Sequence, residues 1–112
     1  MGITKTENFS KHENEVAKYA KALASPARIA ILEILIERKE CICGELVELL
    51  PLSQATVSQH LRELKDANLI KGEISGPKVC YCIDLEGWNQ MVTLFGNLFT
   101  KTNILSATNE CC

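Results

Sequence analysis

Two cysteines one residue apart, in Glu40-Cys41-Ile42-Cys43-Gly44-Glu45-Leu46, are the residues whose type and spacing point most directly to chemistry. Thiolates are soft ligands and select thiophilic ions, trivalent arsenic and antimony among them. In a regular helix, side chains two apart point about 200° away from each other, as the 3.6-residue period requires. In extended backbone they share a face. Both sulfurs can therefore grip one atom only where the approach to the following helix is non-helical or becomes so. The bland alternative is a pair of small, buried, inert residues.

The chain of 112 residues holds six cysteines, in three pairs: Cys41/Cys43, Cys80/Cys82 and Cys111/Cys112. In a cytosolic chain that number points to metal or redox chemistry more than to a disulfide framework. Cys80 and Cys82 share one face of an apolar strand, opposite Val79, Tyr81 and Ile83. They could form a second chelate, an oxidisable pair, or fill solvent-facing positions. Cys111-Cys112 is a vicinal pair that is either an accidental exposed pair or a source of ligands. The only histidines are His12 and His60. No Ser/His/Asp or Cys/His arrangement, Gly-rich phosphate loop or carboxylate pair is evident, so no enzyme and no organic cofactor are expected. The N-terminal stretch lacks an apolar h-region, and no run approaches about 18 apolar residues. A cytoplasmic protein without a membrane partner is the expectation.

The elements that must position these groups follow from periodicity. Residues 1–11 are polar and unpatterned and read as a flexible terminus. From His12 to Ala24, Val16, Tyr19, Ala20 and Leu23 recur at helical spacing. Ser25-Pro26 starts a second helix to Arg38, with the serine as cap and proline at the first helical position. Its buried stripe is Ile31, Leu32, Leu35 and Ile36. Gly44–Leu50 is a short third helix, Pro51-Leu52-Ser53 a tight turn, and Gln54–Ala67 a fourth helix with Val57, Leu61 and Leu64 inward. Leu69–Ile74 and Val79–Ile83 flank Ser75-Gly76-Pro77-Lys78, which predicts a β-hairpin. A last helix starts near Leu85, with Trp88, Met91, Val92, Phe95, Leu98 and Phe99 on a wide apolar face. Residues 12–106 form one domain, and 107–112 a flexible, cysteine-containing tail.

Four helices, a hairpin and a fifth helix make a mainly α, winged helix-turn-helix fold. The fourth helix turns short polar hydrogen-bonders outward. Gln and Arg side chains can read base edges, and Ser, Thr and Lys contact phosphate. The predicted DNA-binding set is Ser53, Gln54, Thr56, Ser58, Gln59, His60, Arg62 and Lys65, with Lys71 and Lys78 where a wing could track the backbone. Net charge is −2, which is no broadly basic footprint. Residues 53–79, however, set Arg62, Lys65, Lys71 and Lys78 against Glu63, Asp66 and Glu73, a slight local positive excess. The first and last helices carry more apolar surface than one small core can hide. Val16, Tyr19, Leu23, Trp88, Met91, Phe95, Leu98 and Phe99 are therefore expected at a two-fold homodimer interface.

This order resembles the ArsR/SmtB family of bacterial metal-responsive repressors over residues 14–100. The resemblance rests on Ala22-Leu23-Ala24-Ser25-Pro26-Ala27-Arg28-Ile29-Ala30-Ile31-Leu32, on the Cys41 segment, on Leu52 through Leu64, and on Leu69-Ile70-Lys71-Gly72. It implies a homodimer that occupies operator double-stranded DNA and represses a detoxification operon until an inducer releases it. A Cys-x-Cys at this position is similar to that of the arsenite-sensing subgroup and of a related cadmium/lead-sensing one. Cys41 and Cys43 would then be the inducer ligands, with trivalent arsenic or antimony as inducer. The subgroup's further cysteine just inside the third helix is missing, since Glu45 through Leu49 contains none; Cys111 or Cys112 could supply a third thiolate. The family's zinc-type site on the last helix is not expected, because that helix has Asp84 and Glu86 but no histidine. A repressor of the same fold that senses oxidants or persulfides through its thiols is the alternative, as is a cadmium/lead sensor.

Overall fold

Side-chain caps start most of the helices where the sequence supplies them. In the computed structural model, which describes residues 6–39, 41–42, 44–76 and 78–105, helix α1 spans Lys11–Leu23 behind Ser10. The Ser10 hydroxyl accepts the Glu13 N–H at 3.1 Å, and the Glu13 carboxylate accepts the Ser10 N–H at 3.1 Å. This reciprocal pair satisfies two N–H groups that lack helical partners. A single 3-10 turn, Thr6–Asn8, precedes it inside the stretch expected to be unpatterned. Helix α2, Pro26–Arg38, is capped by Ser25 and carries proline in its first turn. Helix α4, Gln54–Asp66, is capped by Ser53, and helix α5, Leu85–Thr100, by Asp84.

Helix α3 is the exception. It has no side-chain cap and is only Leu46–Leu49, shorter than the expected Gly44–Leu50. Gly44 sits at φ +74°, a left-handed conformation that glycine tolerates and that cannot continue into an α-helix. Upstream, the chain is extended: Ile42 and Tyr81 exchange both backbone hydrogen bonds at 2.9 Å each. Lys39 at φ 60° and Asn68 at φ 63° close the C-terminal ends of α2 and α4. Asparagine is among the residues that best tolerate this region.

Strands β1, Ile70–Ser75, and β2, Lys78–Ile83, form an antiparallel hairpin in register Ile70↔Ile83 through Ser75↔Lys78. The isolated Ile42↔Tyr81 bridge adds Ile42 to the open edge of β2. The core gathers Tyr19 of α1, Ile31, Leu32 and Leu35 of α2, Leu46 of α3, Val57, Leu61 and Leu64 of α4, and Met91 of α5. Ile42, Leu69 and Ile70 seal it against the wing. Each such side chain, fully buried, favours folding by about 1.5–3 kcal/mol of transfer free energy. The inward triplet expected for α4 is the triplet found. Ile36, expected on the buried stripe of α2, is instead 47% exposed.

Of the eight residues expected at a dimer interface, Tyr19 and Met91 are already covered within the protomer, at 1% and 4% exposure. Val16, Leu23, Trp88 and Phe95 are half-buried, while Leu98 and Phe99 are exposed, together with Val92, Leu85 and Ile104. Among the described residues no helix is long and apolar enough to cross a membrane. The expectation for residues 107–112, with Cys111 and Cys112, lies outside the described residues, as does Cys43.

Candidate thiol site and nucleic-acid interface

The outward face of α4 follows from its buried one. With Val57, Leu61 and Leu64 held in the core, the helical period leaves Gln54, Thr56, Ser58, Gln59, Arg62 and Lys65 exposed. The Ser53 hydroxyl donates to Thr56 Oγ1 at 3.0 Å while accepting the Thr56 N–H at 3.3 Å. Gln59 Nε2 donates to Glu63 Oε1 at 3.2 Å, and Arg62 Nη1 to Gln59 Oε1 at 3.5 Å. Lys71 and Lys78 are exposed on the two wing strands.

His60 behaves differently from its neighbours. It is half-buried, and its Nδ1 lies 3.2 Å from Arg28 Nη1. Arg28 also donates from Nε to the Ala22 carbonyl at 2.7 Å and from Nη2 to the Lys21 carbonyl at 3.1 Å. The ring thus ties α4 to the α1–α2 junction and faces inward, away from the exposed row. Periodicity alone could not separate His60 from that row, because it sits at the boundary of the two faces.

The Cys41 thiol meets partners that sequence reasoning did not name. The Ile42↔Tyr81 pair exchanges both its hydrogen bonds, so the flanking positions Cys41 and Cys82 stand opposite each other as a pair not hydrogen-bonded through the backbone. Side chains approach most closely at such pairs. Sγ of Cys41, Sγ of Cys82 and a carboxylate oxygen of Glu73 all lie within 4.8 Å of one another. Cys41 Sγ donates to Glu73 Oε2 at 3.5 Å. Hydrogen bonding to the Cys82 thiol, burial and the adjacent Glu73 carboxylate push the Cys41 thiol up from 9.0 to about 12. Both Cys41 and Cys82 are free thiols. Two thiols and one carboxylate are a donor set suited to a thiophilic ion.

Cys80 departs from the solvent-facing position open to it from the sequence: it is 5% exposed and disulfide-bonded. Beside the free thiols opens a largely apolar pocket of about 450 Å³, lined by Leu35, Ile36, Lys39, Ile83, Leu85 and Trp88 together with Cys41 and Cys82 themselves. A sequence signal for the Cys41–Cys82 meeting did exist. Two Cys-x-Cys segments of equal spacing can bring thiols face to face wherever the backbone that carries them pairs as antiparallel strands.

A short helix, a turn, an exposed polar helix and a two-stranded wing, with α1 and α5 packed behind them, define a winged helix-turn-helix protein. The profile described as "Bacterial regulatory protein, arsR family" matches residues 25–71. The arsenical resistance operon repressor of Bacillus subtilis is 36% identical over 94 residues, 83% of this chain and 85% of that protein. The HTH-type transcriptional repressor SmtB of Mycobacterium tuberculosis is 49% identical over 61 residues, 54% of this chain, which spans only 44% of that relative's length. Among solved structures, HlyU from Vibrio cholerae superposes with a TM-score of 0.65 at 28% identity, over 81% of this chain and 98% of that one. The chain belongs to the arsR family of bacterial regulatory proteins, the ArsR/SmtB metal-responsive repressors.

Proposed function

We propose that this protein is a homodimeric repressor that binds operator DNA and is released when trivalent arsenic or antimony binds its thiols. The observation that carries the reading is the position of Cys41: a free thiol on the extended segment leading directly into α3, in contact with the wing. An ion gripped there pulls on both ends of the DNA-binding unit at once. The similarity to an arsenical resistance repressor over most of both chains supports trivalent arsenic as inducer.

Ser53, Gln54, Thr56, Ser58, Gln59, Arg62 and Lys65 present the reading face, and Lys71 and Lys78 reach phosphate from the wing. The exposed row Val92, Leu98 and Phe99 on α5 is covered by a second copy, which sets two reading helices one DNA turn apart, about 34–36 Å. Cys43 remains an inducer ligand in this reading, and Cys111 or Cys112 a source of a third thiolate.

Fluorescence anisotropy of labelled DNA from upstream of the gene, with reduced protein titrated by arsenite, tests the proposal. Loss of binding near stoichiometric arsenite is the expected result. Persistence of the complex at excess arsenite removes arsenic as inducer and leaves cadmium or lead to be tried. A second reading has its own support, because Cys80 is disulfide-bonded: the thiols respond to oxidants or persulfides. Release of DNA by oxidant, reversed by reductant and absent with arsenite, would establish that reading instead.

A further inference from the structure

The Cys41–Cys82 pair lies in a different place from the Cys-x-Cys chelate expected from the sequence, and it adjoins the apolar cavity. Trivalent arsenic with three open positions prefers three sulfurs, whereas arsenic already carrying one carbon substituent has two positions left. Two free thiols within 4.8 Å match the second case. The neighbouring pocket of about 450 Å³ is open to solvent and largely apolar, with Leu35, Ile36, Ile83, Leu85 and Trp88 beside one charged residue, Lys39, and offers a site for the substituent.

We infer that Cys41 and Cys82 form a dithiol site for monosubstituted trivalent organoarsenicals, with the organic group seated in the cavity against Trp88. The inference rests on the inducer reading above and names its ligand class and its second sulfur. In the binding step, an arsenic centre bearing one carbon and two hydroxyls condenses with two thiols. Two As–S bonds form, two As–O bonds break, each thiol proton leaves with a hydroxyl as water, and arsenic stays trivalent. Glu73, within hydrogen-bond reach of Cys41, is placed to take that thiol's proton and pass it to the departing hydroxyl. The product joins the segment before α3 to strand β2 through one atom.

The probe is phenylarsine oxide, which hydrates to the dihydroxy form, added to the full-length reduced protein. Bound and free protein are alkylated with N-ethylmaleimide and mapped by mass spectrometry, and emission of Trp88, the only tryptophan, is followed. The expected result is joint protection of Cys41 and Cys82 together with a change in Trp88 emission. Losing one of two linked contacts should weaken binding on the order of 10²-fold or more, so Cys82→Ser should show that loss. Protection of a different cysteine pair, or Cys82→Ser binding the probe as tightly as wild type, overturns the site. The mapping uses the wild-type chain and so does not depend on whether the variant folds. Operator release is scored separately. Joint protection of Cys41 and Cys82 without release from DNA leaves the site standing and sinks the inducer reading. Release by arsenite with Cys82 unprotected by phenylarsine oxide does the reverse, and no binding of the probe at all overturns the site.

Discussion

Gly87→Ala sets two effects of opposite sign against each other at one position. Gly87 lies in the first turn of α5, buried, with its N–H donated to Asp84 Oδ1 at 3.4 Å. A Cβ added there would drive into the backbone carbonyl of Asn68. That carbonyl has little freedom to retreat. Asn68 is in the left-handed region at φ 63°. Its own N–H bonds to Lys65 O at 2.9 Å, Leu69 N–H to Leu64 O at 3.1 Å, and Asp84 N–H to Leu69 O at 3.0 Å. The strain must therefore fall on α5, whose start would shift and loosen the packing of Trp88 and Met91. Overpacking of this kind costs about 1–3 kcal/mol and occasionally more. Replacing glycine by alanine inside a helix returns up to about 1 kcal/mol. A contact with backbone, which cannot rotate away, belongs at the upper end of the first range, so the clash wins by about 2 kcal/mol. For a domain of this size that lowers Tm by roughly 8 °C or more.

Gly96, in the same helix, is the internal comparison, since a Cβ there meets nothing within 4 Å in the chain. Gly96→Ala should keep its propensity gain. Thermal and urea unfolding followed by circular dichroism, at one fixed protein concentration because association shifts apparent stability, would measure both variants. A Gly87→Ala protein as stable as wild type or more so would refute the reasoning.

Leu64, fully buried on the inner face of α4, should cost about 2–5 kcal/mol as Leu64→Ala; an unchanged urea midpoint would count against the core described. Lys71→Ala and Lys78→Ala should each weaken DNA binding about equally for all sequences and lower the slope of log affinity against log salt by about one. An unchanged slope would remove these lysines from the interface. Cys41, held at about 12 against 9.0, stays protonated at pH 8. Because the thiolate is the reactive form, it should react with iodoacetamide roughly tenfold or more slower in the folded protein than in urea, and Cys82→Ser or Glu73→Gln should speed it. The sign for stability follows: a raised folded pKa favours the native state fully below pH 9 and loses that contribution as pH climbs toward 12. Equal alkylation rates in folded and unfolded protein would contradict the contact.

Much of the fold was legible because its signals are local. Ser25-Pro26 and Ser53 mark helix starts by hydrogen-bonding capacity, and Val57, Leu61 and Leu64 mark a buried face by spacing. The hairpin announced itself through Ser75-Gly76-Pro77-Lys78 between two apolar runs. The half-buried setting of His60 was not legible, because a residue at the border of two helix faces is placed by what lies opposite, here Arg28 from α2. Ile36 is exposed and Tyr19 buried within the protomer for the same reason: periodicity ranks positions on one helix, and the neighbouring elements decide which are covered.

The sequence by itself determined the elements, their order, the inward face of α4 and the presence of thiols next to a helix-turn-helix. Only the tertiary structure decided which thiols meet. Cys41 and Cys82 are 41 positions apart, and their contact depends on one pair of backbone hydrogen bonds between Ile42 and Tyr81. Strand pairing has a period of two, so a slip of one residue would have turned Cys82 to the other face. No local property of either Cys-x-Cys segment specifies that register; it is set by burying Ile42, Ile70 and Leu46 in one core.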